Sequence, residues 1–380
     1  MKIIDVKSYP LRTRLEQPFA FSQGWVTYRS ATIVEVVTDE GMSGWGEALC
    51  MGLQPPEVAA SVVDFALKPL LLGADPSDLE PLWHRMYNHT RDYGMKGAVV
   101  GGISAVDIAL WDIAGKTLGV PVCKLLGGTF RSRVEAYATG FYRTVGQGEA
   151  ERLAKEAENH AMSGFKTMKI KVGFGLEDDI AVVRAVRGAV GEGITLMIDA
   201  NHGYGVNDAI RLGRALEGVG LRWFEEPVAP EDVAGYRTVR DALGVAVAGG
   251  EGEYTLFGFR DLISRGAVDI AQPDLCHVGG FTAGKHILAL AHAFGVQVNP
   301  HVWGSAIGQA ASLQFVASVP ISNPSLYAKE PIFEYDCSAH PFRSQLVKNP
   351  LQQKDGFIDV PMDPGLGVDV DRTVLERYRV

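Results

Sequence analysis

The chain has 380 residues, room for two domains with one of them a large α/β barrel, and its 47% hydrophobic content is ample for a packed core and excludes intrinsic disorder. A net charge of −9 gives no bulk attraction for nucleic acid or for an anionic membrane. The N-terminus reads as a strand rather than a signal peptide, the apolar runs fall short of a membrane span, and Cys50, Cys123, Cys276 and Cys337 form no CxxC pair, so reduced thiols in a cytoplasmic protein are expected.

Alternating apolar and polar residues predict strands at 2–9 and 31–38, and Asp39-Glu40-Gly41 turns the chain into a third at 43–47. Helical spacing follows at 56–72, 78–91 and 98–118, the last rich in Ala, Ile and Leu. Strands followed by helices predict a separate α+β domain, drawn at 1–130.

From about residue 134 the rhythm changes. Short apolar runs recur as VEAYATG, TMKIKVG, ITLMIDAN, LRWFEEP, VAVAGGE, VDIAQPD and VQVNPH, each followed by a helical stretch. The polar residues that close them, Lys171, Asp199, Glu225, Glu251, Asp274 and His301, are spaced 28, 26, 26, 23 and 27 residues apart. That interval holds one strand, one helix and two short loops, which means parallel βα units. Seven of them predict a TIM-type (β/α)7–8 barrel over 131–340. Neither GxGxxG nor GxxxxGK[ST] occurs, so an open nucleotide-binding sheet and an organic cofactor are not expected. From Gly356 alternation returns (FIDV, GVDV), and the segment 341–380 is predicted to rejoin the N-terminal sheet.

In a parallel barrel the active site lies at the C-terminal ends of the strands. Three successive units there carry acids, Asp199, Glu225 and Glu251. Converging carboxylates repel one another unless a cation sits between them, and hard oxygen donors suit Mg²⁺ or Mn²⁺. Three unrelated helix-capping acids are the alternative, weakened by their common register. On the preceding strand, Lys169 and Lys171 are two residues apart and share one face. Two ammonium groups inside a barrel are costly unless they serve anions. Asp274 and His301 close the sixth and seventh runs, and a carboxylate on one imidazole nitrogen fixes the tautomer and raises the basicity of the other.

Over essentially its whole length this pattern resembles the enolase superfamily, mandelate racemase subgroup. The resemblance implies Asp199, Glu225 and Glu251 as metal ligands, Lys171 as one base, Lys169 as electrostatic partner of a substrate carboxylate, and His301 with Asp274 as the opposing acid/base. It also implies that Glu334, in IFEYD, is a further carboxylic acid on the substrate carboxylate, with Glu330 four residues away as the competing match. Muconate lactonising enzymes and dipeptide epimerases place a lysine where this chain has Asp274, and glucarate dehydratases an asparagine where it has Glu251. The motifs MIDANHGY, WFEEPV, AGGE, QPDLC and PHVWG look similar to those of galactarolactone cycloisomerases and related sugar-acid dehydratases. The implied reaction is removal of the α-proton of a sugar acid or lactone through an ene-diolate, then β-elimination. A racemase or epimerase would need the same two bases, and a non-catalytic relative should have lost at least one metal ligand or base. The expected partners are a small acid sugar or lactone and further copies of the chain, with neither nucleic acid nor membrane. Substrate choice is expected in the loops at 19–25 and 48–53, as a lid.

Overall fold

The N-terminal alternation folds as an antiparallel sheet of β1 (Ile3–Phe21), β2 (Gly24–Thr38) and β3 (Ser43–Ala48), in the order β1-β2-β3, in a computed structural model that describes residues 1–321 and 323–380. Both long strands exceed their predicted spans. Residues 19–25, expected as a loop, are the tip of the β1–β2 hairpin, paired Phe19 with Val26, Ala20 with Trp25 and Phe21 with Gly24. The register slips between Arg14 and Phe19, where Pro18 sits, and such a bulge bends a hairpin.

The helical patterns follow. The stretch 56–72 is broken into α1 (Pro56–Ser61), a π-helical Val62–Leu67 and α2 (Lys68–Leu71); α3 (Leu79–Thr90) and α4 (Ala98–Leu118) match their spacing. A short α5 (Val122–Leu125) leads out of the domain. Helix α4 packs flat on β3 because Gly44 and Gly46 leave room: a Cβ there would lie 2.0 Å from Ala109 O and 1.9 Å from Ala105 O. Among the described residues it is also the one helix long and apolar enough to cross a membrane, and 89% of that span is buried inside the protein.

The barrel is a (β/α)7β array. Strands and helices alternate as β4 (Arg133–Thr139), α6 (Ala150–Met162), β5 (Thr167–Lys171), α7 (Leu176–Val190), β6 (Thr195–Asp199), α8 (Val206–Ala215) and β7 (Leu221–Glu225). They continue as α9 (Val233–Ala242), β8 (Ala246–Gly249), α10 (Thr255–Ser264), β9 (Ile270–Ala271), α11 (Gly280–Ala293), β10 (Gln297–Val298), α12 (Ala306–Ser318) and β11 (Phe333–Asp336). Hydrogen-bonded neighbours run β10-β9-β8-β7-β6-β5-β4-β11, all parallel. Between β11 and β10 side chains close the ring: Ile332 N donates to Asn299 Oδ1 at 2.8 Å and Val302 N to Glu334 Oε2 at 3.0 Å.

The C-terminal segment departs from expectation. After α13 (Pro341–Ser344), FIDV forms β12 (Phe357–Asp359), which pairs antiparallel with the start of β4 and not with the N-terminal sheet. The chain reaches that sheet later, through α14 (Arg372–Tyr378), a single bridge of Arg379 to Leu11 and an ion pair of Arg372 with Glu35. The pattern was strand-like, but the free edge it met was the open N-terminal half of β4.

Candidate active site

A parallel strand sends alternate side chains into the barrel. Tyr137, Met197, Trp223, Ala248 and Ile270, inward residues of five strands, form with Ile332 just before β11 a separate buried apolar cluster that plugs the interior. Two residues further toward the C-terminal ends, the inward positions become Thr139, Asp199, Glu225, Gln272 and Glu334. The floor is apolar and the next layer ionic. That change along one face is what makes a site rather than a core.

The three acids meet: ligand atoms of Asp199, Glu225 and Glu251 lie within 4.8 Å of one another, all buried. Asp199 and Glu225 end β6 and β7, whereas Glu251 stands two residues beyond β8 in the following turn. Burial pushes the carboxyls of Glu225 and Glu251 up to about 7, and the charge of Asp199 adds to it in both. Glu251 Oε2 is buried without a hydrogen-bond partner. Crowded oxygen donors, an orphaned carboxylate oxygen and raised carboxyls fit a hard divalent cation among the three.

Both lysines point inward. Lys169 is fully buried, with Nζ 2.5 Å from Glu225 Oε1, 2.7 Å from Glu334 Oε1 and 3.6 Å from Asp199 Oδ2. Lys171 Nζ lies 2.5 Å from Asp199 Oδ2 and 2.9 Å from Asn201 Oδ1. Burial disfavours both ammonium ions, yet the surrounding carboxylates outweigh it and raise both. Glu334 accepts from Thr139 Oγ1 at 2.7 Å as well as from Lys169. Burial would raise its carboxyl, but Lys169, His301 and Lys171 hold it below the usual carboxylate range. The competing Glu330 is outside the site, paired with Arg131 and about half exposed.

Across the mouth, His301 Nδ1 is 2.7 Å from Asp274 Oδ2, and its Nε2 is 3.5 Å from Glu251 Oε2. Each residue sits three positions beyond its short strand, β9 or β10. Burial lowers the imidazole, but Glu251 and Asp274 together push it up to about 10. Asp274 is held in turn by Cys276 N at 2.7 Å.

Further side chains, outside the strand-closing pattern, complete the site. Trp223 Nε1 and Gln272 Nε2 donate to Glu225 Oε2 at 2.9 and 2.8 Å, fixing that carboxylate from two sides. Asn201 bridges Lys171 and Glu251, its Nδ2 3.4 Å from Glu251 Oε1. His202 Nδ1 lies 2.9 Å from Glu226 Oε2. Asn201, His202 and Glu226 all have left-handed φ, at 40°, 53° and 44°, a strain typical of functional loops. The signals were in the quoted DANH, EEP and QPD motifs, but none of these residues closes a strand pattern. The hairpin tip covers this loop: Ser22 Oγ donates to Ala200 O and Gln23 Nε2 to Asn201 O, both at 2.7 Å. Tyr142 and Trp303 wall the Lys171 side, Trp303 Nε1 donating to Tyr142 OH at 2.7 Å.

Comparison with known proteins shows the family. Residues 3–127 match the family described as mandelate racemase / muconate lactonizing enzyme, N-terminal domain, and residues 152–374 match that described as enolase C-terminal domain-like. The chain is 42% identical to the D-galactarolactone cycloisomerase of Agrobacterium fabrum over 100% of its own length and 99% of the relative's. It is 34% identical to the arabinonate dehydratase of Saccharolobus solfataricus over 91% and 89% of the two chains. A crystal structure of a racemase from Streptomyces coelicolor with bound magnesium superposes with a TM-score of 0.89 at 30% identity, covering both chains fully.

Proposed function

This chain belongs to the enolase superfamily, mandelate racemase subgroup, and from that premise we propose that it is a Mg²⁺-dependent enzyme that removes the α-proton of a sugar acid or its lactone, through an ene-diolate, and completes a β-elimination. One observation carries the proposal: a buried triad of carboxylates set between Lys171 on one side and the His301–Asp274 pair on the other. A cycloisomerase and a dehydratase both expel a β-oxygen, differing in what that oxygen is attached to, and both occur among the relatives.

Asp199, Glu225 and Glu251 would hold the cation, Mg²⁺ or Mn²⁺. When bound, it supplies a fixed positive charge against the substrate carboxylate as negative charge develops there. Lys171 would serve as one base: with Asp199 among the cation's ligands, the neighbouring Lys169 charge would favour the neutral amine that a base needs. Lys169, held by Glu334, neutralises the substrate carboxylate. Asp274 fixes His301 with Nε2 toward the substrate, where it serves as the opposing acid/base. Glu334 orients Lys169, and with the tip at 19–25 and the segment 48–53 the hairpin side closes over the mouth. The working boundaries are 1–130 for the cap, 131–340 for the catalytic barrel and 341–380 for the returning segment. The same proposal takes the protein as cytoplasmic and self-assembling, without nucleic acid or membrane as partner.

A screen of D-galactarolactone, D-galactonate, D-arabinonate and related acids with Mg²⁺, reading 2-keto or ring-opened product and deuterium uptake, tests it. Two bases across one site also fit a racemase or epimerase. Turnover of aromatic 2-hydroxy acids with no action on sugar acids would favour that alternative.

A further inference from the structure

The N-terminal sheet reaches the His301–Asp274 pair from behind. Glu47, on β3, is 1% exposed, and it crosses the seam to the start of α12. There it accepts from Ser305 N at 2.8 Å, Ser305 Oγ at 2.6 Å and Gly308 N at 2.8 Å. The sequence makes room for it: a Cβ on Gly304 or Gly308 would stand 2.8 or 2.9 Å from its carboxylate oxygens. Two residues further along the chain, just past β3, Leu49 N donates to Cys276 O at 3.0 Å, and Cys276 N is the group that holds Asp274.

His301 and Ser305 are separated by three residues. Val302 N is tied to Glu334, Trp303 to Tyr142, and Gly304 O to Arg343 Nε at 2.8 Å. Among the described residues only Glu47 fixes the far end of that turn through several donors at once, and it does so from the other domain. A buried carboxylate with three donors is a strong anchor, and removing it strands two backbone N–H groups. We propose that Glu47 is a positioning residue for His301, coupling the cap to one of the two acid/base groups while leaving the Lys171 side untouched. This rests on the role assigned to His301 above.

The test uses the full-length, Mg²⁺-loaded protein as wild type, Glu47→Ala, Glu47→Gln and Asp112→Asn. Asp112 is a buried carboxylate wholly within the N-terminal helix–sheet layer and the segment at Leu366, so its variant controls for lost stability. One readout needs no substrate: the protected low-field imidazole N–H proton of His301 on Asp274, in ¹⁵N-histidine-labelled protein, assigned by its absence from His301→Asn. The other is kcat and KM on the sugar acids of the screen. Glu47→Ala should lose the protected proton and drop kcat by roughly 10–100-fold with KM little changed, as expected of a catalytic group displaced by about 1 Å. Glu47→Gln, which keeps one acceptor oxygen, should retain the proton and most of the rate, and Asp112→Asn should retain both despite lower stability. A Glu47→Ala protein with the proton and kcat of wild type overturns the proposal, as does an equal loss in Asp112→Asn. If the proton behaves as stated but wild type acts on none of the acids, the positioning stands and the proposed function falls.

Discussion

At the scale of single residues, charge placement decides what each carboxylate does. Glu149, at the start of α6, accepts from the backbone N–H groups of Thr144, Val145 and Gly146 at 2.8, 2.7 and 3.0 Å and from Arg152 at 2.5 Å. Burial would raise its carboxyl, but these donors win and pull it down to about 2 from an ordinary value of 4.5. A depressed folded-state value means that its stabilisation is complete above 4.5 and lost as pH falls through about 2. Glu149→Gln should therefore be less stable than wild type by about 1–3 kcal/mol at neutral pH, and the gap in urea midpoints should narrow in acid; a gap independent of pH would contradict this. Glu225 is under the opposite pressure, buried among like charges. Glu225→Gln should lose Mg²⁺ affinity and turnover together, and EDTA should abolish wild-type activity until Mg²⁺ is restored. Full activity in a metal-free preparation would refute the metal assignment. Residues that close an apolar run were legible in the sequence because position and chemistry coincide there. Asn201, Gln272 and Glu47 were not, since each acts through a loop or across a domain seam that periodicity does not encode.

At the scale of elements, the barrel strands were readable from their spacing because the βα units recur at similar lengths, and α4 from its apolar run. The hairpin tip was not: residues 19–25 carry polar and glycine signals of a loop, and their pairing depends on a partner strand and a bulge. Nor was the destination of FIDV, because a short alternating strand specifies an edge but not which edge. Elements from the two domains are locked by buried contacts. Asp107 on α4 accepts from Thr282 N at 3.0 Å and Thr282 Oγ1 at 2.6 Å at the start of α11, just beyond the turn that carries Asp274. Asp107→Ala should cost about 1–3 kcal/mol through the donors it leaves unpaired, measurable as a lower denaturant midpoint with an unchanged slope. A neutral effect would mean that the seam is held elsewhere. Ser22 and Gln23 act differently, gripping the backbone of the Ala200–Asn201 turn from the hairpin tip. The double substitution to alanine should raise KM or lower kcat without a matching loss of thermal stability, as expected when a cover rather than a core contact is loosened.

At the scale of the whole molecule, the site belongs to neither domain alone. In the proposed reaction the barrel supplies the acids and both bases, while the cap reaches the mouth through Ser22 and Gln23 and the turn after His301 through Glu47. Lys171 and His301 stand on β5 and beyond β10, three strands apart one way round the ring and five the other, with the acid triad between them. In the proposed reaction they therefore address the substrate α-carbon from different faces. The most direct measurement is loss of the α-hydrogen and formation of product in D₂O with Mg²⁺, followed by NMR for wild type, Lys171→Ala and His301→Asn. Each variant should lose elimination by about 10²–10⁴-fold, while one of the two still exchanges the α-hydrogen through its remaining base and the other does not. Near-normal elimination by both variants would contradict the account, whatever the substrate proves to be.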